Sequence, residues 1–483
     1  MSLPTGSIFG RLTGRFRTID PDGQRLLGYS LTSGEPIFAP IGHSLILAAA
    51  GSGKTTRGAM VWLFSLLSTA GSAATLVLDS KSGEICAQLA PLLAELGIPF
   101  GIIDDMDVWP PLAPWRVQLN AFGSAIAVCQ NNPQDLVYVI ETITLSLIPE
   151  PKDGDDKNKY WRAWARKLIA FALGVLLKRN VQTATPGGVA AMLDDPDMLQ
   201  SMARIEAEEG DGSLRAAGQA IVDMVGHEHW PQHLEEAQRA MRIYGPETRL
   251  HQAGRNATTT HAELIRQGAV IFLVGPQERL DKLGSYYASH MNSFGDALFQ
   301  DAGELRVVGD EITNAPVKEL LVDRITTIRA FGGQIFAIGQ SRSEFVRKFG
   351  EQETRTIEDN AIVKQYLGFS SFEEAERVSK AIGEEFAVSA GLSGEVSGLK
   401  SQESLGLSKQ RLLTPAQLMA MPPTRQLLHI KGVGFFMAGT YAQNEIAPYC
   451  HRIAANPLEG GRLPPNPKIR LALPKIKSKW SWR

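Results

Sequence analysis

The stretch Leu45–Thr56, Leu-Ile-Leu-Ala-Ala-Ala-Gly-Ser-Gly-Lys-Thr-Thr, limits what this chain can fold into more than any other. An apolar run gives way to small residues and glycines, then to a lysine and two threonines. Met60, Val61, Leu63, Phe64 and Leu67 follow at helical spacing. That order reads as strand, tight loop, helix. Such a loop turns successive backbone N–H groups inward at a helix N-terminus, where the helix dipole also favours negative charge. Gly51, Ser52, Gly53, Lys54, Thr55 and Thr56 are therefore the candidate phosphate-binding residues. Lys54 is placed to reach the β- and γ-phosphates of a nucleotide, and the Thr55 hydroxyl to sit on Mg²⁺. The strict pattern begins with glycine where this chain has Ala48. One methyl group is tolerated there if the residue keeps φ below zero.

Length makes two or more domains the expectation for 483 residues. A charged fraction of 21% and a net charge of -2 describe a globular chain with no overall drive toward nucleic acid, so any DNA contact must come from local basic patches. Cys86, Cys129 and Cys450 show neither metal spacing nor a disulfide framework, which fits a reducing cytoplasm. The N-terminus lacks a signal pattern. The longest apolar run, Leu168–Leu177, is flanked by Lys167 and Lys178 and falls short of the roughly 20 residues a membrane helix needs.

Along the chain, residues before Ser44 read as short strands and turns. Strands are expected at 75–78, ending at Asp79-Ser80-Lys81-Ser82-Gly83-Glu84, and at 100–103, ending at Asp104-Asp105, with a helix over 87–96 between them. This alternation predicts an α/β fold with a mainly parallel twisted sheet, whose ligands sit at the carboxyl ends of strands. From Ala125 to Gln252 helical periodicity dominates, in segments 136–147, 161–177, 189–207, 212–224 and 234–244. His227, His229 and His233 lack a completing carboxylate or cysteine and read as a solvated helix–loop junction. Strand signals resume at 269–274, 305–308, 335–338, 362–367 and 427–430, with helices over 280–298, 317–330 and 372–382. The Ser- and Gly-dominated 389–408 reads as a loop. From Gly460 the chain is Pro-rich and basic without a carboxylate, a disordered tail by composition. The expected division is a nucleotide-binding domain in two parts, 1–124 and 253–458, an all-helical insertion at 125–252, and a tail at 459–483.

Hydrolysis needs acidic partners for the loop. Leu305-Arg306-Val307-Val308-Gly309-Asp310-Glu311 looks like a strand delivering Asp310 to a Mg²⁺ shell, with Glu311 beside it to polarise the attacking water. One strand later, Gln340 ends Ile335–Ile338-Gly339 and is a candidate sensor of the γ-phosphate or the water. Arg329 is a candidate for neutralising transition-state charge across a subunit interface.

The order of these pieces resembles the type IV secretion coupling proteins, the DNA-translocating ATPases of bacterial conjugation. The likeness rests on Gly53-Lys54-Thr55, the Asp79–Glu84 turn, Leu119-Asn120-Ala121-Phe122, Tyr160–Arg166, Asp310-Glu311, Arg329, and Gly339-Gln340-Ser341-Arg342-Ser343. Further along it includes Asp359-Asn360-Ala361 with Tyr366-Leu367-Gly368, Leu413-Thr414-Pro415, and Ile430-Lys431-Gly432. The resemblance implies a RecA-like P-loop domain with an inserted all-α domain, using ATP and Mg²⁺ and assembled as a homohexamer. Such a ring drives single- or double-stranded DNA, with its relaxase, or secreted proteins toward a type IV secretion channel. Members usually begin with transmembrane helices, and this chain resembles a version without them. It is expected in the cytoplasm, reaching the inner membrane's cytoplasmic face only through a partner. The competing expectations are a docking receptor for relaxase or effector proteins that hydrolyses little, and another hexameric DNA-pumping or secretion ATPase.

Overall fold

The computed structural model describes residues 17–150, 159–315, 317–393 and 402–474. In chain order the strands are β1 (Thr18–Ile19), β2 (Leu26–Ser30), β3 (Pro36–Phe38), β4 (Ser44–Leu47), β5 (Ala74–Asp79), β6 (Phe100–Ile103), β7 (Val270–Val274) and β8 (Leu305–Asp310). They continue as β9 (Gly333–Gly339), β10 (Val363–Tyr366), β11 (Glu384–Ser393), β12 (Gln402–Arg411), β13 (Arg425–Ile430), β14 (Gly434–Gly439), β15 (Ile446–Ala447) and β16 (Ile469–Leu471).

An 11-stranded sheet in the order β3-β2-β14-β13-β10-β4-β9-β8-β5-β7-β6 forms the centre. From β10 to β6 every neighbour pair is parallel. From β10 outward through β13, β14, β2 and β3 the pairs are antiparallel. The parallel strands are rich in aliphatic residues because both faces are covered, most completely in β7, Val-Ile-Phe-Leu-Val, whereas β8 also carries the buried Arg306. On one face Ile46, Val77, Ile102, Phe272, Val308 and Phe336 pack with helices Met60–Leu66 and Glu84–Leu96. On the other, Leu45, Leu76, Ile103, Ile271 and Val307 pack with helix Gly284–Phe299 and the helices that follow β6. The alternation of side chains along each strand therefore splits one apolar run between two cores.

Between β6 and β7 the described residues are mainly helical, in Gly123–Asn131, Leu136–Leu147, Lys159–Arg179, Pro186–Leu193, Pro196–Glu209, Gly212–Val225 and Trp230–Met241. The division drawn at Ala125 falls inside the first of these. That helix and the next are tied to helix Gly284–Phe299, through Ser293 Oγ bonding to Ser124 Oγ at 3.2 Å and Ser146 Oγ to Ser289 Oγ at 3.4 Å. The segment 189–207 is two helices, broken where Asp195 caps a new helix that begins at Pro196. Among the described residues no helix is long and apolar enough to cross a membrane.

Four other expectations are corrected. Residues 389–393 and 402–408 are not loop: β11 and β12 pair antiparallel over ten positions, Glu384 opposite Arg411 through Ser393 opposite Gln402, and 394–401 lies outside the described residues. The tail from Gly460 is ordered as far as Pro474. Its strand β16 lies between β1 and β15, with Ile469 and Leu471 buried; 475–483 lies outside the described residues. The helix expected over 317–330 is a series of short turns, 319–323, 325–328 and 329–331. His233 is not solvated but fully buried, its ring within 4.7 Å of Trp161 and stacked at 5.4 Å on Trp164. Among the described residues no group of three or more His, Cys, Asp or Glu side chains could hold a metal ion.

Candidate nucleotide site

β4 delivers the loop 48–53 at its carboxyl end, next to β9. Ala48 N–H donates to Gly339 O at 3.0 Å, and Ala48 is absent from the residues with positive φ, as its methyl group requires. Gly53 has φ 85°, and a Cβ there would come within 3.1 Å of Thr56 Oγ1, so this turn needs glycine. The helix that follows opens with a wide turn over Lys54–Ala59, in which Met60 N–H reaches back five residues to Thr55 O. Wide turns of this kind recur at functional sites.

β8, on the far side of β9, ends at Asp310, and Glu311 follows it. The interruption at Gly309 has a steric cause: a Cβ there would run into Ile312, which folds back over the strand. That reversal puts Glu311 at φ 54° and ψ 52°, a left-handed conformation uncommon outside glycine and worth notice at a polar site. Its carboxylate consequently points back toward the loop. Lys54 Nζ pairs with Glu311 Oε1, and Gln340 Nε2 donates to the same oxygen at 3.0 Å. Thr55 Oγ1 donates to Asp310 Oδ2 at 3.1 Å. Lys54, Thr55, Asp310, Glu311 and Gln340, expected together from the sequence, thus converge where β4, β8 and β9 end.

Three further residues join them. Lys81, on the turn after β5, lies 3.4 Å from Asp310 Oδ2 and 3.3 Å from Glu311 Oε1. Glu84 Oε1 accepts from Thr55 Oγ1 at 3.2 Å, and its Oε2 from Asn456 Nδ2 at 3.2 Å. The Asp79–Glu84 turn was visible as a motif, but its side chains could be assigned to the loop only once β5 was known to lie beside β8. Asn456 carried no signal, being 372 positions from its partner.

The electrostatics follow from this crowding. Burial raises the Glu311 carboxyl, but Lys81 and Lys54 outweigh it and hold the group below its ordinary value, so it is ionised at neutral pH. Burial alone would lower Lys81, yet Asp310, Glu311 and Glu84 raise it, so it stays charged. Glu84 is raised by burial against the pull of Lys81. Asp79 is raised well above the usual carboxylate range by burial, and its Oδ2 accepts from the Cys86 N–H at 2.7 Å. Asp310 Oδ1 is buried without a hydrogen-bond partner among the described residues. With Thr55 Oγ1 and Glu84 beside it, this orphan oxygen fits a small hard cation that completes its shell with phosphate oxygens and water.

Arg329 is not brought to this site within the chain. It is exposed in the turn that precedes β9, whereas the loop lies where β9 ends. The seven residues of β9 separate the two by roughly 20 Å at about 3.3 Å per residue.

Residues 304–423 match the family model described as the TraM recognition site of TraD and TraG. No curated protein matches the sequence. Among solved structures, the unbound form of the bacterial conjugative coupling protein TrwBdeltaN70 is similar with a TM-score of 0.62 at 15% identity, over 86% of this chain and 89% of that one. TrwB in complex with ADP and Mg²⁺ gives 0.60 at 14% identity, over 83% and 85%. VirB4 of Thermoanaerobacter pseudethanolicus gives 0.51 at 15% identity, over 89% and 98%. At these identities the likeness is one of fold.

Proposed function

We propose that this chain, which has the fold of the conjugative coupling proteins, is an ATP-hydrolysing motor that delivers DNA or protein cargo to a type IV secretion channel. The resemblance to that family stands on the motif order, the matched region 304–423 and the shared fold. TrwB binds ADP with Mg²⁺ and an ATP analogue, and the same ligands suit the residues here.

The observation that carries the reading is the convergence of Lys54, Thr55, Asp310, Glu311 and Gln340 at neighbouring strand ends. The loop N–H groups and Lys54 hold the phosphate chain. Thr55 and Asp310 hold Mg²⁺, which neutralises phosphate charge when bound. Glu311, kept ionised, orients and polarises the attacking water, and Gln340 fixes its carboxylate. The motor works in this proposal as a homohexamer on the cytoplasmic side of the channel, attached to the membrane by a partner. The all-helical segment at 125–252 serves as a domain between the two parts of the nucleotide-binding domain, 1–124 and 253–458.

Lys54→Ala and Glu311→Gln should each lower ATP turnover by about 100-fold or more, with Glu311→Gln still binding ATP. Hydrolysis by Glu311→Gln at the wild-type rate would falsify the role given to that residue. A second reading, a docking receptor with little hydrolysis, draws on the description of the matched family region as a recognition site. The two separate on ATPase rate: a motor is stimulated by DNA, and its DNA binding weakens steeply with salt. A receptor is stimulated by neither single- nor double-stranded DNA.

A further inference from the structure

Glu311 Oε1 is the meeting point of three donors. Lys54 pairs with it, Gln340 Nε2 reaches it at 3.0 Å, and Lys81 Nζ stands 3.3 Å away. Among the described residues the other Glu311 oxygen receives a long contact, 3.4 Å from Asn314 Nδ2. One carboxylate oxygen ringed by two ammonium groups and an amide marks a place built for concentrated negative charge. Lys54 belongs to the phosphate loop and turns to the phosphate chain when a nucleotide is bound. Lys81 reaches the same point from the opposite side, from the end of β5 rather than β4, and its side chain is only 15% exposed.

The turn that carries Lys81 is held at its outer end. Ser82 has φ 53°, its carbonyl accepts from Trp109 Nε1, and its hydroxyl accepts from Gln277 N–H at 3.0 Å. Its inner end is held by Glu84, bonded to Thr55 and Asn456. A lysine on a turn anchored at both ends does not need a phosphate contact to stay in place. It is pre-set, with its ammonium aimed between Asp310 and Glu311.

We propose that Lys81 is a second phosphate-binding lysine, which contacts a γ-phosphate oxygen of the bound triphosphate from the side facing away from Lys54. The inference rests on the nucleotide-site reading above and deepens it. Its consequence is discrimination: Lys54 serves any nucleotide with a β-phosphate, whereas Lys81 has a partner only when the γ-phosphate is present.

The test is a pair of titrations on the full chain, with fluorescent ADP and with a non-hydrolysable triphosphate analogue, each with Mg²⁺. A charge-assisted hydrogen bond removed from the γ-phosphate alone predicts that Lys81→Met binds ADP within about twofold of wild type and the triphosphate analogue about tenfold more weakly. Lys81→Arg should recover part of the triphosphate affinity. Lys81→Gln, neutral but still able to hydrogen-bond Glu311, makes the same comparison if the methionine variant unfolds, with thermal melting as the check. Equal losses for ADP and triphosphate would mean that Lys81 only supports the fold, and no loss for either would mean that it touches neither; both overturn the proposal. If Lys54→Ala loses nucleotide while Lys81→Met and Lys81→Gln keep the wild-type preference, this inference alone falls. If wild type binds neither nucleotide, the function reading falls and takes this inference with it.

Discussion

His43 precedes β4 and uses both ring nitrogens. Nε2 donates to Ile325 O at 2.9 Å, and Nδ1 accepts from Ile335 N–H at 3.0 Å. A second proton would set Nδ1–H against that N–H. Burial therefore lowers its pKa to about 4, against the pull of the Ile325 carbonyl and with help from Arg329 and Arg25. The sign follows directly: the unfolded chain takes up this proton near pH 6.5 and the folded chain only near 4. Stability carried by neutral His43 is thus present above pH 6.5 and lost as pH falls toward 4, at up to about 1.4 kcal/mol per pH unit. Urea unfolding between pH 7 and 4.5 should show a flatter dependence in His43→Gln than in wild type. Parallel pH profiles would mean that His43 titrates alike in both states. At this scale the sequence spoke through residue types with a required neighbour, as Lys54 needs Thr55. It was silent on His43 and Asn456 and gave Lys81, visible within a motif, no partner, because these partners are fixed by strand order rather than by spacing.

At the scale of elements, aliphatic-rich runs were legible because a strand covered on both faces leaves few positions for a polar residue, Thr75 and Arg306 being buried exceptions. β5, β6, β7 and β8 are of this kind. The paired strands β11 and β12 were not legible, since serine and glycine recur through them and, among the described residues, their ladder joins only each other. β16 was hidden by composition: prolines and basic residues surround three residues whose alternate members, Ile469 and Leu471, are 4% and 1% exposed. The strand is the middle of its sheet, paired with β1 at Thr18–Arg470 and with β15 at Ile446–Ile469. Tyr449 OH also donates to Ala472 O at 3.2 Å. Ile469→Ala and Leu471→Ala should each cost about 2–4 kcal/mol in urea unfolding, the range for aliphatic truncation in a packed core. A cost under about 0.5 kcal/mol, typical of surface positions, would show that the end of the chain is not held as described.

At the scale of the molecule, the nucleotide site and Arg329 stand at opposite ends of β9. A guanidinium roughly 20 Å from the phosphate loop of its own chain cannot neutralise charge there. In a head-to-tail ring each subunit presents one surface to the site of the next, so a residue useless in cis can complete a neighbouring pocket. Arg329 is exposed, and Phe331 beside it is 44% exposed while its ring meets Phe299 edge-on at 5.0 Å, so the turn is supported from below and open outward. A trans role requires a ring, and it makes a prediction that a surface arginine does not. When Arg329→Ala subunits are mixed with wild type, each mutant subunit should disable the site of the neighbour it faces. Total ATPase should then follow the fraction of wild-type chains, because each mutant subunit silences one neighbouring site while its own is completed by any wild-type neighbour, whereas a plain surface arginine would leave the mixture at full activity. The reverse mixture isolates the direction: a subunit with Lys54→Ala has lost its own site but still offers Arg329 to the next. Mixing Lys54→Ala with Arg329→Ala should therefore restore turnover where an intact phosphate loop meets an intact arginine. If the first mixture keeps full activity, or the second shows no recovery, Arg329 does not complete a neighbouring site.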